Sequence, residues 1–232
     1  MLYDPTNAQN VSGLVNHVIY VTINYRLSVF GFLAGDLLRA ESPDGSVGNY
    51  GFQDQRMALN FTKTIISSFG GNPNLITLFG ESAGGGSTSS HLVSPRSWPY
   101  FQRAIIESGA WAPWTAQPYN ISATRLPQLA KNLNCSTAPN VLTCMRAVDA
   151  MTTFKSQAGL TSAFLQYSPV IDGVELTADP RALLAKGAVN PVPIMLGFNM
   201  NEGTLFNSAP DNLNATNEES AIATITGAAL AP

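Results

Sequence analysis

The chain has 232 residues, a formal net charge of −3 and 45% hydrophobic residues. This composition allows one sizeable hydrophobic core and argues against an intrinsically disordered chain. Only 12% of the residues are charged and no basic cluster occurs, so we expect no nucleic-acid partner. No apolar stretch reaches about 18 residues, which argues against a transmembrane segment, and the first residues lack the pattern of a secretory signal peptide.

The first predicted elements are a strand, a loop and a helix. Residues 18–25 are β-branched and aromatic, which predicts a buried strand. Residues 26–51 are rich in Gly, Ser, Pro and Asp and predict a long surface loop around an apolar turn at 29–33. The apolar spacing of residues 52–69 predicts a helix that ends at Gly70-Gly71.

Further along the chain, short apolar runs predict three more strands, and a run of small residues predicts a helix between the first two. In chain order these four elements are residues 75–79, 83–93, 103–107 and 192–198.

This alternation of strands and helices predicts an α/β fold, with a mostly parallel central sheet and helices on both faces. Residues 111–168 show short helical patterns and no strand signal, so we expect a helical roof insertion above the sheet. A weak helical pattern lies near residues 218–230. Because the chain has neither repeats nor a long linker, we expect residues 1–232 to form a single domain.

The motif Gly80-Glu81-Ser82-Ala83-Gly84 lies between the predicted strand 75–79 and the predicted helix 83–93. A G-x-S-x-G motif between a strand and a helix is typical of the nucleophile elbow of α/β-hydrolases. Glycines suit such a strained turn because a side chain there would collide with the backbone. Ser82 is therefore the predicted nucleophile, with the N–H groups of the helix N-terminus directed at a developing oxyanion.

Five N-x-S/T sequons occur, where about one or two are expected by chance. They suggest an exported, glycosylated protein, secreted or extracellular. Their asparagines are Asn10, Asn60, Asn120, Asn134 and Asn214.

Cys135 and Cys144 are the only cysteines. A zinc site would need more Cys or His nearby, so we expect neither a metal nor a cofactor. A local disulfide is the favoured interpretation, and two buried free thiols are the alternative.

A serine nucleophile needs a base, and the base needs an acid that orients it. In α/β-hydrolases the order along the chain is nucleophile, acid, histidine. Glu202 lies 120 positions after Ser82 (202 − 82) and follows the predicted strand 192–198, so it fits the acid. The alternative is an ordinary loop carboxylate, in which case Asp172 is the next candidate for the acid.

Sequence segments spread over most of residues 18–206 carry a family resemblance. They are Asn24-Tyr25-Arg26-Leu27, Phe30-Gly31-Phe32-Leu33, Gly48-Asn49, Asp54-Gln55-Arg56, Phe69-Gly70-Gly71-Asn72-Pro73, Thr77 to Gly85, Ser108-Gly109, Pro169-Val170-Ile171-Asp172-Gly173, Leu196-Gly197 and Asn201-Glu202-Gly203. Together they resemble the type-B carboxylesterase/cholinesterase family. The resemblance implies an α/β-hydrolase fold and hydrolysis of a small-molecule carboxylic ester through an acyl-enzyme.

The resemblance also implies roles for individual residues. Ser82 is the nucleophile, the Ala83 N–H belongs to the oxyanion hole, and Glu202 is the acid of the triad. The supporting and pocket residues of the family match Glu81, Ser108 and Trp114, although Trp114 is one position displaced from the acyl-pocket aromatic. A disulfide of the family matches Cys135–Cys144.

The chain departs from the family pattern in two places. A glycine-rich oxyanion loop should precede the strand at 18–25, but none of the 17 preceding residues resembles it, and no histidine follows His91. His91 lies about 13 Å along the elbow helix from Ser82, and His17 is expected roughly 25 Å away at the far sheet edge. We therefore expect a partial hydrolase domain, truncated at both ends and inactive alone.

Two other functions share the same fold. One is a catalytically dead, cholinesterase-like adhesion or scaffold protein, against which the presence of both Ser82 and Glu202 argues. The other is a serine amidase or lipase that uses the same residues.

Overall fold

A computed structural model describes residues 18–157 and 167–202. The expectations for Asn10, His17, Asn214 and the helical pattern at 218–230 lie outside these residues. The chain divides into two compact units, Met1–Leu196 and Gly197–Pro232, and only residues 197–202 of the second are described. The expectation of a single domain over residues 1–232 stays a prediction.

The described residues contain short strands and helices in alternation. The strands are β1 (Thr77–Glu81), β2 (Arg103–Glu107), β3 (Gln117–Pro118), β4 (Val170–Ile171) and β5 (Ile194–Gly197). The α-helices are α1 (Ser28–Phe32), α2 (Asp36–Glu41), α3 (Tyr50–Ile65), α4 (Ala83–Leu92), α5 (Tyr119–Ser122), α6 (Arg125–Asn132), α7 (Val141–Ala147), α8 (Ala150–Ser156) and α9 (Pro180–Ala185). Short 3₁₀ helices cover Ile66–Phe69, Pro95–Tyr100 and Pro113–Thr115.

The main sheet has the strand order β1-β2-β5. Strands β1 and β2 are parallel, with Thr77 opposite Arg103 and Glu81 opposite Glu107. Because the carboxyl ends of parallel strands meet at one edge, the residues after β1 and after β2 emerge side by side. The predicted α/β fold is confirmed. Strand β2 covers the predicted run 103–107 and β5 lies within the predicted 192–198, whereas β1 begins and ends two residues later than the predicted 75–79.

Helix α3 confirms the helix predicted from the apolar spacing of residues 52–69. It buries Phe52 and Leu59, and it ends through the 3₁₀ turn at Ile66–Phe69. Gly70 then adopts a φ of 80°, a conformation that costs a glycine little. The Gly71 N–H donates to the Ile66 carbonyl at 2.9 Å, so the glycine pair caps the helix as predicted.

Two apolar clusters pack the helices of the described residues, and the second also packs β2 beside the elbow helix. In the first, helix α1 packs on helices α6 and α7 through Val29, Leu33, Leu126, Leu129, Ala130, Leu133, Cys135 and Leu142. In the second, α3, α4 and β2 meet through Leu59, Leu92, Phe101, Ala104 and Ile106. Full burial of each large apolar side chain stabilises the fold by about 1.5–3 kcal/mol.

The buried strand predicted at residues 18–25 is wrong. The structure assigns no strand there, and Val18 and Ile23 are 63% and 41% exposed. A β-branched pattern favours an extended chain, but a strand forms only where a neighbour supplies ladder hydrogen bonds. No strand in the described part of the chain takes these residues as a ladder partner, although the Tyr20 ring lies beside β1, with its centroid 5.4 Å from that of Phe79.

The long loop predicted at residues 26–51 is also wrong, because α1, α2 and the start of α3 lie there. The apolar turn at 29–33 is helix α1, whose Val29 and Phe32 are buried. A β-carbon on Gly31 would lie 2.0 Å from the Arg26 carbonyl oxygen, so this glycine is needed for close packing of the chain on itself. A glycine that contributed to the loop prediction thus allows a tight contact between α1 and the backbone just before it.

Residues 111–157 are mostly short helices, as predicted, but one part of the prediction is wrong. The two-residue strand β3 pairs in parallel with β4, Gln117 opposite Val170. A strand of two residues is too short to produce an alternating pattern in the sequence.

Candidate active site

Ser82 sits in a strained turn between β1 and α4. Its φ of 53° and ψ of −115° lie in a region that residues with side chains rarely adopt. The Ser82 N–H donates to the Glu107 carbonyl at 2.9 Å, and the Ser82 carbonyl accepts from the Gly86 N–H at 2.9 Å. Hydrogen bonds on both sides therefore hold the serine in this conformation.

Glycines around Ser82 let three backbone segments touch. A β-carbon on Gly80 would lie 2.3 Å from the Gly84 carbonyl carbon, and one on Gly85 would lie 2.6 Å from the Glu107 carbonyl oxygen. A β-carbon on Gly109 would lie 2.4 Å from the Ser82 carbonyl oxygen. The strand end, the start of α4 and the segment after β2 pack so closely that no side chain fits between them.

Ser108 follows β2 as Ser82 follows β1. The strand register places Glu81 opposite Glu107, so the two serines leave the sheet at neighbouring strand ends. Ser108 also has a positive φ of 51°, and both serines are half-buried. Glu81 and Ala83 are exposed at the same edge.

Trp114 contacts the elbow helix one turn beyond Ser82. A β-carbon on Gly86 would lie 3.2 Å from the Trp114 ring and 2.9 Å from the Thr115 methyl group. Since Gly86 is four residues after Ser82, the ring lies on the helix turn that begins at the serine. This position is compatible with the pocket role that the sequence resemblance implies.

The structure adds a connection that the sequence did not predict. Ser89 of α4 is fully buried, and its hydroxyl accepts from the Trp111 N–H at 3.3 Å. The Trp111 indole N–H donates to the Ser89 carbonyl at 2.9 Å. These bonds fasten the segment after β2 to the elbow helix, and nothing in the local sequence signals them.

Glu202 lies in the second unit, a few residues after β5. One oxygen of its carboxylate accepts from the Asn199 N–H at 2.8 Å, and the side chain is half-buried. This hydrogen bond holds the carboxylate over its own turn.

His91 is a packed core histidine. Its ring stacks on Phe52 with centroids 4.0 Å apart, Nδ1 lies 2.8 Å from the Ser97 hydroxyl, and Nε2 lies 3.0 Å from the Gln55 amide oxygen. Burial, together with the positive charge of Arg56, lowers the pKa of His91 to about 3. Both ring nitrogens are used within the fold, so His91 is not available as a base.

Asp172 organises a loop. One carboxylate oxygen accepts from the N–H groups of Val174, Glu175 and Leu176 at 2.8–3.2 Å, and the other accepts from the Val47 N–H at 3.1 Å. Four backbone donors thus surround the carboxylate that was the second candidate for the acid.

Glu175 is a buried carboxylate that the sequence analysis missed. Arg56 pairs with both of its oxygens, and Gln53 and Arg96 donate to Oε1 at 3.0 and 3.2 Å. Burial raises the pKa of Glu175, but the hydrogen bonds and charge of Arg56 and its neighbours outweigh this and the net pKa is lowered. The cluster joins helix α3 to the loop after β4 and reflects tertiary packing, for which the sequence carries no local pattern.

Cys135 and Cys144 form the predicted disulfide, with Cα atoms 5.6 Å apart. Three predicted glycosylation sites fall on described residues, and their asparagines, Asn60, Asn120 and Asn134, are all exposed. Among residues 18–157 and 167–202, no cluster of His, Cys, Asp and Glu could hold a metal ion, and no helix has the length and apolarity needed to cross a membrane.

A parallel sheet, a strained serine between a strand and a helix, and glycines that let three segments touch define an α/β-hydrolase. The sequence profile of the carboxylesterase family matches residues 3–227. The chain belongs to the carboxylesterase family.

Known relatives agree with this assignment. Cholinesterase of Mus musculus is 39% identical over 199 residues, and acetylcholinesterase of Leptinotarsa decemlineata is 40% identical over 210 residues. These matches cover 83% and 85% of this chain but only 32% and 33% of the relatives. The crystal structure of the Geobacillus stearothermophilus carboxylesterase EST55 at pH 6.8 matches with a TM-score of 0.75 and 30% identity, covering 88% of this chain and 43% of that chain.

Proposed function

We propose that this protein is a carboxylic-ester hydrolase that uses Ser82 as its nucleophile. The observation that carries the proposal is the backbone of Ser82, held at a φ of 53° between β1 and the N-terminus of α4. Strain of this kind persists only where the surrounding structure enforces it, and it clusters at functional sites. Membership of the carboxylesterase family supports the same reaction class.

In the proposed reaction, the Ser82 hydroxyl oxygen attacks the ester carbonyl carbon while its proton passes to a base. The carbonyl oxygen becomes an oxyanion, and its collapse breaks the bond to the alcohol, which leaves with the proton. Water then attacks the acyl-serine bond in the same way and releases the carboxylic acid. Both halves need hydrogen-bond donors for the oxyanion.

The proposed donor within this chain is the Ala83 N–H. Ala83 is the first residue of α4, where N–H groups have no partner inside the helix and the helix dipole favours negative charge. Ser108, at the neighbouring strand end, is the proposed supporting residue, and Trp114 and Glu81 are the proposed pocket residues. Trp114 is supported by its contact with α4 one turn from Ser82.

Glu202 is the proposed acid of the triad. The order of the chain supports it, because it follows Ser82 and comes soon after the end of β5. The alternative, Asp172, is only 5% exposed, and its oxygens already accept four backbone hydrogen bonds. A buried carboxylate whose two oxygens already accept backbone hydrogen bonds is poorly suited to accept another from an imidazole and so orient it.

The proposed base is a histidine, as in other hydrolases of this fold, but we do not assign it to His91. The environment of His91, with both ring nitrogens occupied and a pKa near 3, opposes proton uptake near neutral pH. We therefore propose that the 232 residues by themselves hydrolyse esters at less than about one turnover per second, since loss of a triad member costs about a million-fold in kcat.

The proposed substrate is a small-molecule carboxylic ester, and the proposed location is outside the cell. The Cys135–Cys144 disulfide and the exposed asparagines of the described sequons support export, since disulfides persist in oxidising compartments. Glycosylation at these asparagines is part of the same proposal.

Turnover of p-nitrophenyl acetate tests the proposed function in the protein as its own cells make it. Ser82→Ala should lower kcat about a million-fold, because the nucleophile is lost while the fold is kept. Ser90→Ala, two turns further along α4 and buried, is the matched control and should retain ester turnover close to that of the wild type. Turnover that survives Ser82→Ala would rule out the proposed nucleophile.

A further inference from the structure

The sequon Asn134-Cys135-Ser136 lies at the end of helix α6, where the backbone is wound into a cap. Asn134 has a φ of 57°, its N–H donates to the Lys131 carbonyl at 3.0 Å, and the Cys135 N–H donates to the Ala130 carbonyl at 2.7 Å. This pair of bonds is a Schellman cap, in which the residue after the helix adopts the left-handed conformation. In the folded chain the first two sequon residues are therefore fixed in a tight turn.

The middle residue of this sequon is also a member of the disulfide. Cys135 is fully buried in the cluster between α1, α6 and α7, and it is bonded to Cys144 of α7. Asn140, which caps α7 by accepting the Thr143 N–H at 2.9 Å, lies within the closed loop. Once the bond forms, Cys135 cannot leave the core without carrying α7 with it.

N-glycosylation needs this turn to open. The enzyme forms a bond between the asparagine amide nitrogen and the anomeric carbon of a sugar, while the bond from that carbon to a lipid pyrophosphate breaks. The amide loses one proton, and the lipid pyrophosphate leaves. The asparagine and the hydroxyl two residues later must be presented together to the enzyme, which requires an accessible and adaptable segment.

We propose that Asn134 is glycosylated only on chains in which the Cys135–Cys144 bond has not yet formed, so that disulfide closure decides whether this glycan is added. The proposal rests on the export proposed above, and it is independent of ester hydrolysis. Folded protein is then a mixture of chains with and without a glycan at Asn134. Asn60 and Asn120 lie on α3 and α5, outside the disulfide loop, and their occupancy does not depend on the bond.

Site occupancy measured by mass spectrometry tests this proposal. The protein is expressed through the secretory pathway of insect cells, deglycosylated enzymatically in heavy-oxygen water, and digested to compare Asn60, Asn120 and Asn134. Cys144→Ser removes the bond but keeps the sequon. It should raise the occupied fraction of Asn134 severalfold and leave the other two sites unchanged.

A matched control separates the bond from local stability. Leu129→Ala loosens α6, because Leu129 is fully buried in the same cluster, but leaves both cysteines in place. It should leave Asn134 occupancy at the wild-type value. The proposal is wrong if wild-type Asn134 is fully occupied, if it is empty in both proteins, if Cys144→Ser raises all three sites together, or if Leu129→Ala has the same effect as Cys144→Ser.

Discussion

The strain at Ser82 predicts that glycine at this position makes the protein more stable than alanine does. Both Ser82→Gly and Ser82→Ala remove the hydroxyl, so their comparison isolates the backbone. A residue with a side chain at a φ of 53° and a ψ of −115° costs about 1–3 kcal/mol. Glycine also has more conformational freedom in the unfolded chain, which lowers the free energy of unfolding of Ser82→Gly by about 0.5–1 kcal/mol.

The net expectation is a free energy of unfolding about 1 kcal/mol higher for Ser82→Gly than for Ser82→Ala. For a chain of this size the difference corresponds to a Tm shift of about 2–4 °C. The two variants are compared by urea unfolding followed by circular dichroism, with thermal unfolding as a second measurement.

Ser87 provides the control, since it lies in the middle of α4 with ordinary helical neighbours on both sides. There, glycine should be less stable than alanine by about 1 kcal/mol. The sign of the difference should therefore reverse between the two positions. If Ser82→Gly is less stable than Ser82→Ala by the same amount as at Ser87, the strain argument for the elbow fails.

Three further predictions concern the disulfide, the buried histidine and the proposed acid. Removing the Cys135–Cys144 bond, which closes a loop of sequence separation 9, should lower the free energy of unfolding by about 2.7 kcal/mol, measured by urea unfolding. The pKa of His91 is about 3 in the folded chain, so between about pH 6.5 and 3 the unfolded chain binds one more proton than the folded chain does. The free energy of unfolding should therefore decrease as the pH drops through this range, by up to about 1.4 kcal/mol per pH unit. His91→Gln should remove that part of the slope. Glu202→Gln should lower ester turnover about ten-thousand-fold with the fold intact, whereas Asp172→Asn should act mainly on stability.

Each of these predictions has a contrary outcome. Unchanged stability after reduction would mean that the loop is equally constrained without the bond. Equal pH slopes in the wild type and His91→Gln would mean that the imidazole takes up a proton in the folded core. Near-normal turnover in Glu202→Gln, with a large loss in Asp172→Asn, would move the acid to Asp172.

The sequence predicted the elbow well because its signals are local. Strand β2 occupies the residues that the apolar run indicated, and β1 and α4 flank Ser82 as the G-x-S-x-G motif requires. The Gly70-Gly71 cap was predictable for the same reason. In each case a few neighbouring residues determine the backbone.

The errors arose where distant residues decide the outcome. Residues 18–25 have the composition of a strand, but a ladder needs a partner that composition does not reveal. The glycines of residues 26–51 predicted a loop, while Gly31 in fact allows α1 to pack against the Arg26 carbonyl. The buried Glu175 cluster and the bonds between Ser89 and Trp111 are tertiary contacts without a local pattern.

Covalent labelling tests the central claim most directly. The protein as its own cells make it is treated with a fluorophosphonate probe, digested, and mapped by tandem mass spectrometry, with Ser82→Ala as the control. The elbow holds the Ser82 hydroxyl at the N-terminus of α4, so the adduct should lie on Ser82 alone and disappear in Ser82→Ala. An adduct on Ser108 or another residue, or labelling that persists in Ser82→Ala, would contradict the assignment of Ser82 as the nucleophile.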